Sequence, residues 1–117
     1  MSEKPPQILV TNDDGITSKG IKTLVKVMQN LGEVIVVAPD SPQSGMGHAI
    51  TLHEPIKLYD SDIFEDLGVE AYTCSGTPAD CVKIAKSSVL PHCNPDLVVS
   101  GINHGSNNSI NVLYSGT

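Results

Sequence analysis

The chain has 117 residues, a formal charge of -6 and a sequence pI near 4.9. That balance excludes a broad basic surface for nucleic-acid polymers or anionic membranes, and leaves open a small phosphate ester bound where a metal inverts the local charge. Aromatics are 3% with no Trp, so aliphatic residues must build the core, and the length suits one domain spanning residues 1–117.

Met1 to Gln7 is polar and proline-containing, and the apolar run after it is too short for a signal peptide or a membrane span. Ile8-Leu9-Val10-Thr11 is a β-branched apolar run that stops at Asn12-Asp13-Asp14-Gly15, which predicts a buried strand and a polar turn. From Ser18 to Leu31 the period changes. Ile21, Leu24, Val25, Met28 and Leu31 form one stripe of an amphipathic helix, and Gly32 supplies its stop. Val34-Ile35-Val36-Val37 predicts a second buried strand, closed by Pro39-Asp40. Strand, helix and strand with short joints make a βαβ unit of a parallel sheet.

Ser41 to Gly47 is a loop rich in Ser, Pro and Gly, followed by His48. Ala49 to Tyr59 has β character broken by Pro55, which suits a hairpin or a sheet edge. Asp60 to Asp66 predicts an exposed turn or short helix, and Val69 to Thr73 a short strand. Thr77-Pro78-Ala79-Asp80 is a helix start with an N-cap, a proline at the first turn and a capping-box acid. Cys81, Val82, Ala85 and Val89 form its inward stripe, and Pro91 and Pro95 end it. Asp96 to Ser100 predicts a further buried strand, after which the chain turns polar through Asn111.

Cys74, Cys81 and Cys93 are an odd number without CxxC spacing. They read as reduced, mostly buried thiols of a cytoplasmic protein rather than as disulfides or a zinc site.

Three strand ends share one pattern, an apolar run followed by small, oxygen-bearing residues: Asn12 to Gly15, Asp40 to Gly47, and Ser100 to Gly105. Parallel strands put these ends on one sheet edge, where open α/β sheets bind ligands. Adjacent carboxylates such as Asp13 and Asp14 repel, and a divalent cation relieves that repulsion. With Ser44, Asn103 and Asn12 as further oxygen donors, the set suits Mg²⁺, Mn²⁺ or Ca²⁺. Each motif taken singly also has a bland reading. Asp-Asp-Gly occurs in ordinary turns, Thr77 serves as a helix cap, and His48 and His104 are exposed bystanders or catalytic acids. Only their convergence on one edge points to a metal-phosphate site.

Read together, Ile8 to Gly15, Val37 to Asp40, Gly47 to Thr51, Gly76 to Val82, Val99 to Gly105 and Ser115 to Thr117 occur here in an order that closely resembles the SurE family of nucleotidases. The resemblance runs from about Ile8 to the last residue. It implies a Rossmann-like αβα sandwich with a mostly parallel sheet, incomplete at its C-terminus because family members are roughly twice this length and continue into parts used for homodimer or tetramer assembly. It implies hydrolysis of nucleoside 5′- and 3′-monophosphates, with a possible exopolyphosphatase side activity. Matched residue by residue, it implies one divalent metal ion on Asp13, Asp14, Ser44 and Asn103, with Asn107 and Ser115-Gly116-Thr117 helping to hold phosphate. Asn12 joins the candidate phosphate-binding residues. Asp13 and Asp14 are the candidate catalytic pair, acting on a water molecule.

Two non-catalytic alternatives are a signalling receiver and a nucleotide-binding module. A receiver needs a lysine at a later strand end, where this chain offers Ser100 and Asn103. No G-x-G-x-x-G follows the first strand, which argues against dinucleotide binding.

Overall fold

Strand β1 (Gln7–Thr11) is apolar on both faces because both of its faces are covered. Ile8 and Val10 point to one side of the sheet and Leu9 to the other, and all three are buried. The computed structural model describes residues 5–41, 56–90, 95–103 and 109–115, and for Asn103, Ser109, Tyr114 and Ser115 the backbone alone.

The described strands form one six-stranded sheet in the order β3-β4-β2-β1-β5-β6. Strands β2 (Glu33–Pro39), β4 (Glu70–Cys74) and β5 (Leu97–Asn103) run parallel with β1. The two edges, β3 (Leu58–Ser61) and β6 (Ser109–Ser115), are antiparallel to their neighbours. The sheet is therefore mostly parallel, as the strand–helix–strand pattern predicts.

Helix α1 (Lys19–Gln29) covers the Ile8/Val10 face, burying Ile21, Leu24, Val25 and Met28 against Val34, Val36 and Val99. Leu31, assigned to the same stripe from its spacing, is instead exposed, because the helix closes at Asn30 and Leu31 lies beyond it. The opposite face carries helix α2 (Pro78–Ile84), whose Cys81, with Ala85 just beyond, buries against Leu9, Val37 and Val98. Val82 and Val89 pack on that cluster half-buried. The result is a helix–sheet–helix sandwich.

Thr77 caps α2 as its sequence predicts. The Asp80 amide donates to Thr77 Oγ1 at 3.2 Å, and the Thr77 amide donates to the Asp80 carboxylate at 3.0 Å. The helix then widens into a π turn over Ala85–Val89, closed by the Leu90 amide on the Ala85 carbonyl at 2.7 Å.

Two details differ from the sequence reading. Asp60 and Ser61 complete β3, and the turn that follows is a short 3-10 segment over Glu65–Leu67. Strand β5 runs on to Asn103 instead of stopping at Ser100. It does so because β6, in a stretch read as polar irregular chain, pairs with it. Of Ala49–Tyr59, read as a hairpin or a sheet edge, residues up to 55 lie outside the described ones, and Leu58 and Tyr59 stand in the edge strand β3.

Candidate functional site at the carboxyl edge of the sheet

Chain order reverses around β1. It proceeds outward through β2 and β4 on one side, then returns to place β5 on the other. Such a reversal opens a crevice beyond the carboxyl ends of the two central strands. Thr11 pairs in register with Ser100, so the Asn12–Gly15 turn and the Ser100–Asn103 strand end leave the sheet side by side. Asp40 directly follows the end of β2 on the same edge.

The composition of this edge departs from the rest of the interior. Among the described residues the buried polar side chains are Thr11, Asn12 and Ser100, and all three sit here. Burying a polar group is costly unless it is hydrogen-bonded. Thr11 was not singled out from sequence, and Ser100 only as the first residue of the Ser100–Gly105 pattern; the signal was a polar residue closing each of two apolar runs.

Asn12 is fully buried, and its amide organises the acidic turn. Its Nδ2 donates to the Gly15 carbonyl and to Ser18 Oγ, both at 2.9 Å, and its Oδ1 accepts from the Gly15 amide at 3.1 Å. Gly15 has φ of 99°, a left-handed conformation that a side chain would strain. The Ser18 amide donates to the Gly15 carbonyl at 3.1 Å, and the Ile16 amide to the Pro39 carbonyl at 2.9 Å, fastening the turn to the end of β2. Asp13 is exposed and Asp14 half-buried at the head of this turn.

Behind the turn, Cys81 of α2 lies beside Thr11 and Cys74. Burial pushes the Cys81 thiol well above the usual thiol range, and the neighbouring Cys74 thiol adds to the push. Both cysteines are buried free thiols.

The structure thus brings together Asn12, Asp13, Asp14 and the Asn103 backbone. Ser44, Asn107, Gly116 and Thr117 lie outside the described residues, as do His48 and His104. The Ser115 backbone is not at this edge. It pairs with Leu97, at the opposite end of β5 and roughly 20 Å of strand from Asn103. The Asn12 side chain, a candidate for phosphate, has both of its polar atoms engaged by the turn.

Among the described residues no three of His, Cys, Asp and Glu gather closely enough to hold a metal. A cation bound by the Asp13–Asp14 carboxylates would take its remaining ligands from other oxygens. That requirement fits a hard ion and the donor types of Ser44 and Asn103.

The fold and this edge define a Rossmann-like α/β protein whose polar site lies at the topological switch point. Within that class the chain belongs to the survival protein SurE family, whose profile matches residues 8–117. It is 70% identical over 112 residues to the 5′-nucleotidase SurE of Cytophaga hutchinsonii, covering 96% of this chain and 42% of that protein. It is 66% identical over 117 residues to the protein of the same name from Christiangramia forsetii, covering 100% and 45%. The crystal structure of the SurE protein from Aquifex aeolicus superposes with a TM-score of 0.71 at 44% identity, covering 87% of this chain and 39% of that one. The chain thus spans less than half the length of these relatives.

Proposed function

We propose that this chain carries the catalytic edge of a metal-dependent phosphomonoesterase that hydrolyses nucleoside 5′- and 3′-monophosphates, acting as one α/β unit. The observation that carries the reading is the acidic turn at the β1–β5 switch point, set among the buried Thr11, Asn12 and Ser100. Its likeness to proteins named 5′-nucleotidase supports the substrate class.

In this reading Asp13, Asp14, Ser44 and Asn103 hold one divalent ion. When bound, the ion supplies positive charge against the phosphate oxygens and acidifies water. The carboxylate of Asp13 or Asp14 takes the proton from the attacking water. Because the phosphoryl group passes directly to water, no covalent aspartyl intermediate is needed, and no separate activated carboxylate marks such a route. Asn107, Ser115, Gly116 and Thr117 hold the phosphate by resemblance to the family. For Ser115 that role requires β6 to give up the pairing with β5 described above. A receiver role is not favoured, since no lysine stands at the described end of β5. The two buried thiols suit the reducing cytoplasm, and assembly into dimers or tetramers belongs to the same family reading.

The test is phosphate release from AMP and GMP with Mn²⁺, with chelator, and in Asp13→Asn. Release that needs both the metal and Asp13 is expected. Release unaffected by Asp13→Asn would remove the acidic turn from the chemistry.

A further inference from the structure

Ser18 is the N-cap of α1, with the extended backbone of that position (φ -69°, ψ 152°), yet its side chain makes no cap hydrogen bond. A serine in this place ordinarily accepts from an amide of the first helical turn. Here its hydroxyl accepts instead from Nδ2 of the buried Asn12, 2.9 Å away. The helix start is thereby tied to the turn that carries Asp13 and Asp14.

Two residues later the same helical turn meets the other half of the edge. A Cβ built on Gly20 would stand 3.0 Å from the Ile102 carbonyl oxygen and 3.2 Å from Ile102 Cβ. A side chain here would crowd Ile102 unless one of the two gave way by a few tenths of an ångström, and Ile102 immediately precedes Asn103. The first turn of α1 therefore touches both arms of the site: the acidic turn through Ser18 and Asn12, and the end of β5 through Gly20. A metal held between two strand ends binds tightly only when their separation is fixed, and residues that orient the ligands govern affinity without touching the ion.

We infer that Asn12, Ser18 and Gly20 are positioning residues that together set the separation between the Asp13–Asp14 turn and Asn103. Asn12 acts as the internal staple of the turn and contributes no bond to phosphate. This assignment rests on the metal reading above and adds to it residues that would not ligate the ion.

The two Gly20 effects oppose each other. In an open helix Gly→Ala is stabilising, since glycine has the greater backbone freedom to lose. At this place the added methyl must displace Ile102 or α1 by a few tenths of an ångström. Gly20→Ala should therefore lower metal affinity more than it lowers stability, which a merely structural role would not do.

The experiment is Mn²⁺ binding by titration calorimetry on the whole chain, with thermal unfolding measured on each sample. The variants are Asn12→Ala, Ser18→Ala, Ser18→Thr, Gly20→Ala and the control Asp13→Asn. We expect Asn12→Ala and Gly20→Ala to weaken Mn²⁺ binding about tenfold or more. Ser18→Ala should produce a smaller loss that Ser18→Thr, which keeps the hydroxyl, restores. Should Asn12→Ala not fold, the Ser18 and Gly20 variants decide the matter. Binding lost in Asp13→Asn but equal to wild type in the folded positioning variants overturns the inference alone. No binding by the wild type, or full binding by Asp13→Asn, overturns the metal reading and the inference with it.

Discussion

Cys81 shows how a side chain behind the site couples the core to pH. Its thiol is fully buried between α2 and the sheet, and burial, reinforced by Cys74, holds its proton far more tightly than in the unfolded chain. The folded state therefore binds a proton that the unfolded state releases above about pH 8.5. The contribution is fully present below that value. It is lost as pH rises toward the folded value, at up to about 1.4 kcal/mol per pH unit for one proton. Chemical denaturation between pH 7.5 and pH 10 should show stability falling with pH, and Cys81→Ala should flatten the slope while lowering stability overall. The range stops at pH 10 because Tyr72 follows there. Its hydroxyl donates to the Glu70 carboxylate at 3.0 Å, and that bond raises its pKa as well. An equal slope in wild type and Cys81→Ala would place the pH dependence elsewhere.

At the scale of the element, α2 is short, and its start depends on the reciprocal bonds of Thr77 and Asp80. With only Pro78–Ile84 in regular α geometry, propagation contributes little to offset nucleation, so the cap carries a large share of its local stability. Thr77→Ala should cost about 1 kcal/mol, read as a fall in melting temperature of about 4 °C. Thr77→Ser, which keeps the acceptor oxygen, should retain most of it; an equal loss in both would show that the hydroxyl bond is not what matters.

This start was legible because capping chemistry is local: Thr, Pro and Asp at fixed offsets specify their own hydrogen bonds. The same holds for β1, α1 and β2, whose apolar spacing states which face is covered. The place of the acidic turn was equally legible, since Asp13 and Asp14 close an apolar run that parallel pairing puts beside β5. The roles of Asn12 and Ser18 were not. A buried asparagine and an exposed one look alike in a string of letters, and a serine N-cap gives no sign that its hydroxyl turns backward. Strand β6 escaped for a different reason. Ser109-Ile110-Asn111-Val112 does alternate, but the run is brief, follows an Asn/Gly/Ser-rich stretch, and leaves Ile110, Val112 and Leu113 exposed.

At the scale of the whole molecule, the described strands leave two unlike sheet edges. Strand β3 has four residues, carries Asp60 and is followed by Asp62, Glu65 and Asp66, so charge guards it against pairing with another chain. Strand β6 has seven residues and leaves Ile110, Val112 and Leu113 46%, 61% and 51% exposed. From Leu97 to Thr117 the sequence contains no Asp, Glu, Lys or Arg. Net charge of -6 keeps two copies apart wherever acidic surfaces face each other, and this edge is where that repulsion is weakest. The chain alone should therefore self-associate through β6 as its concentration rises. Added salt should strengthen the association, because it screens the long-range repulsion while leaving apolar contact intact. Val112→Lys, which puts a charge in the middle of the strand, should hold the chain monomeric in sedimentation velocity at concentrations where the wild type associates. Tyr59→Lys on the acidic edge should change nothing. If Val112→Lys associates as readily as the wild type, the contact lies away from β6.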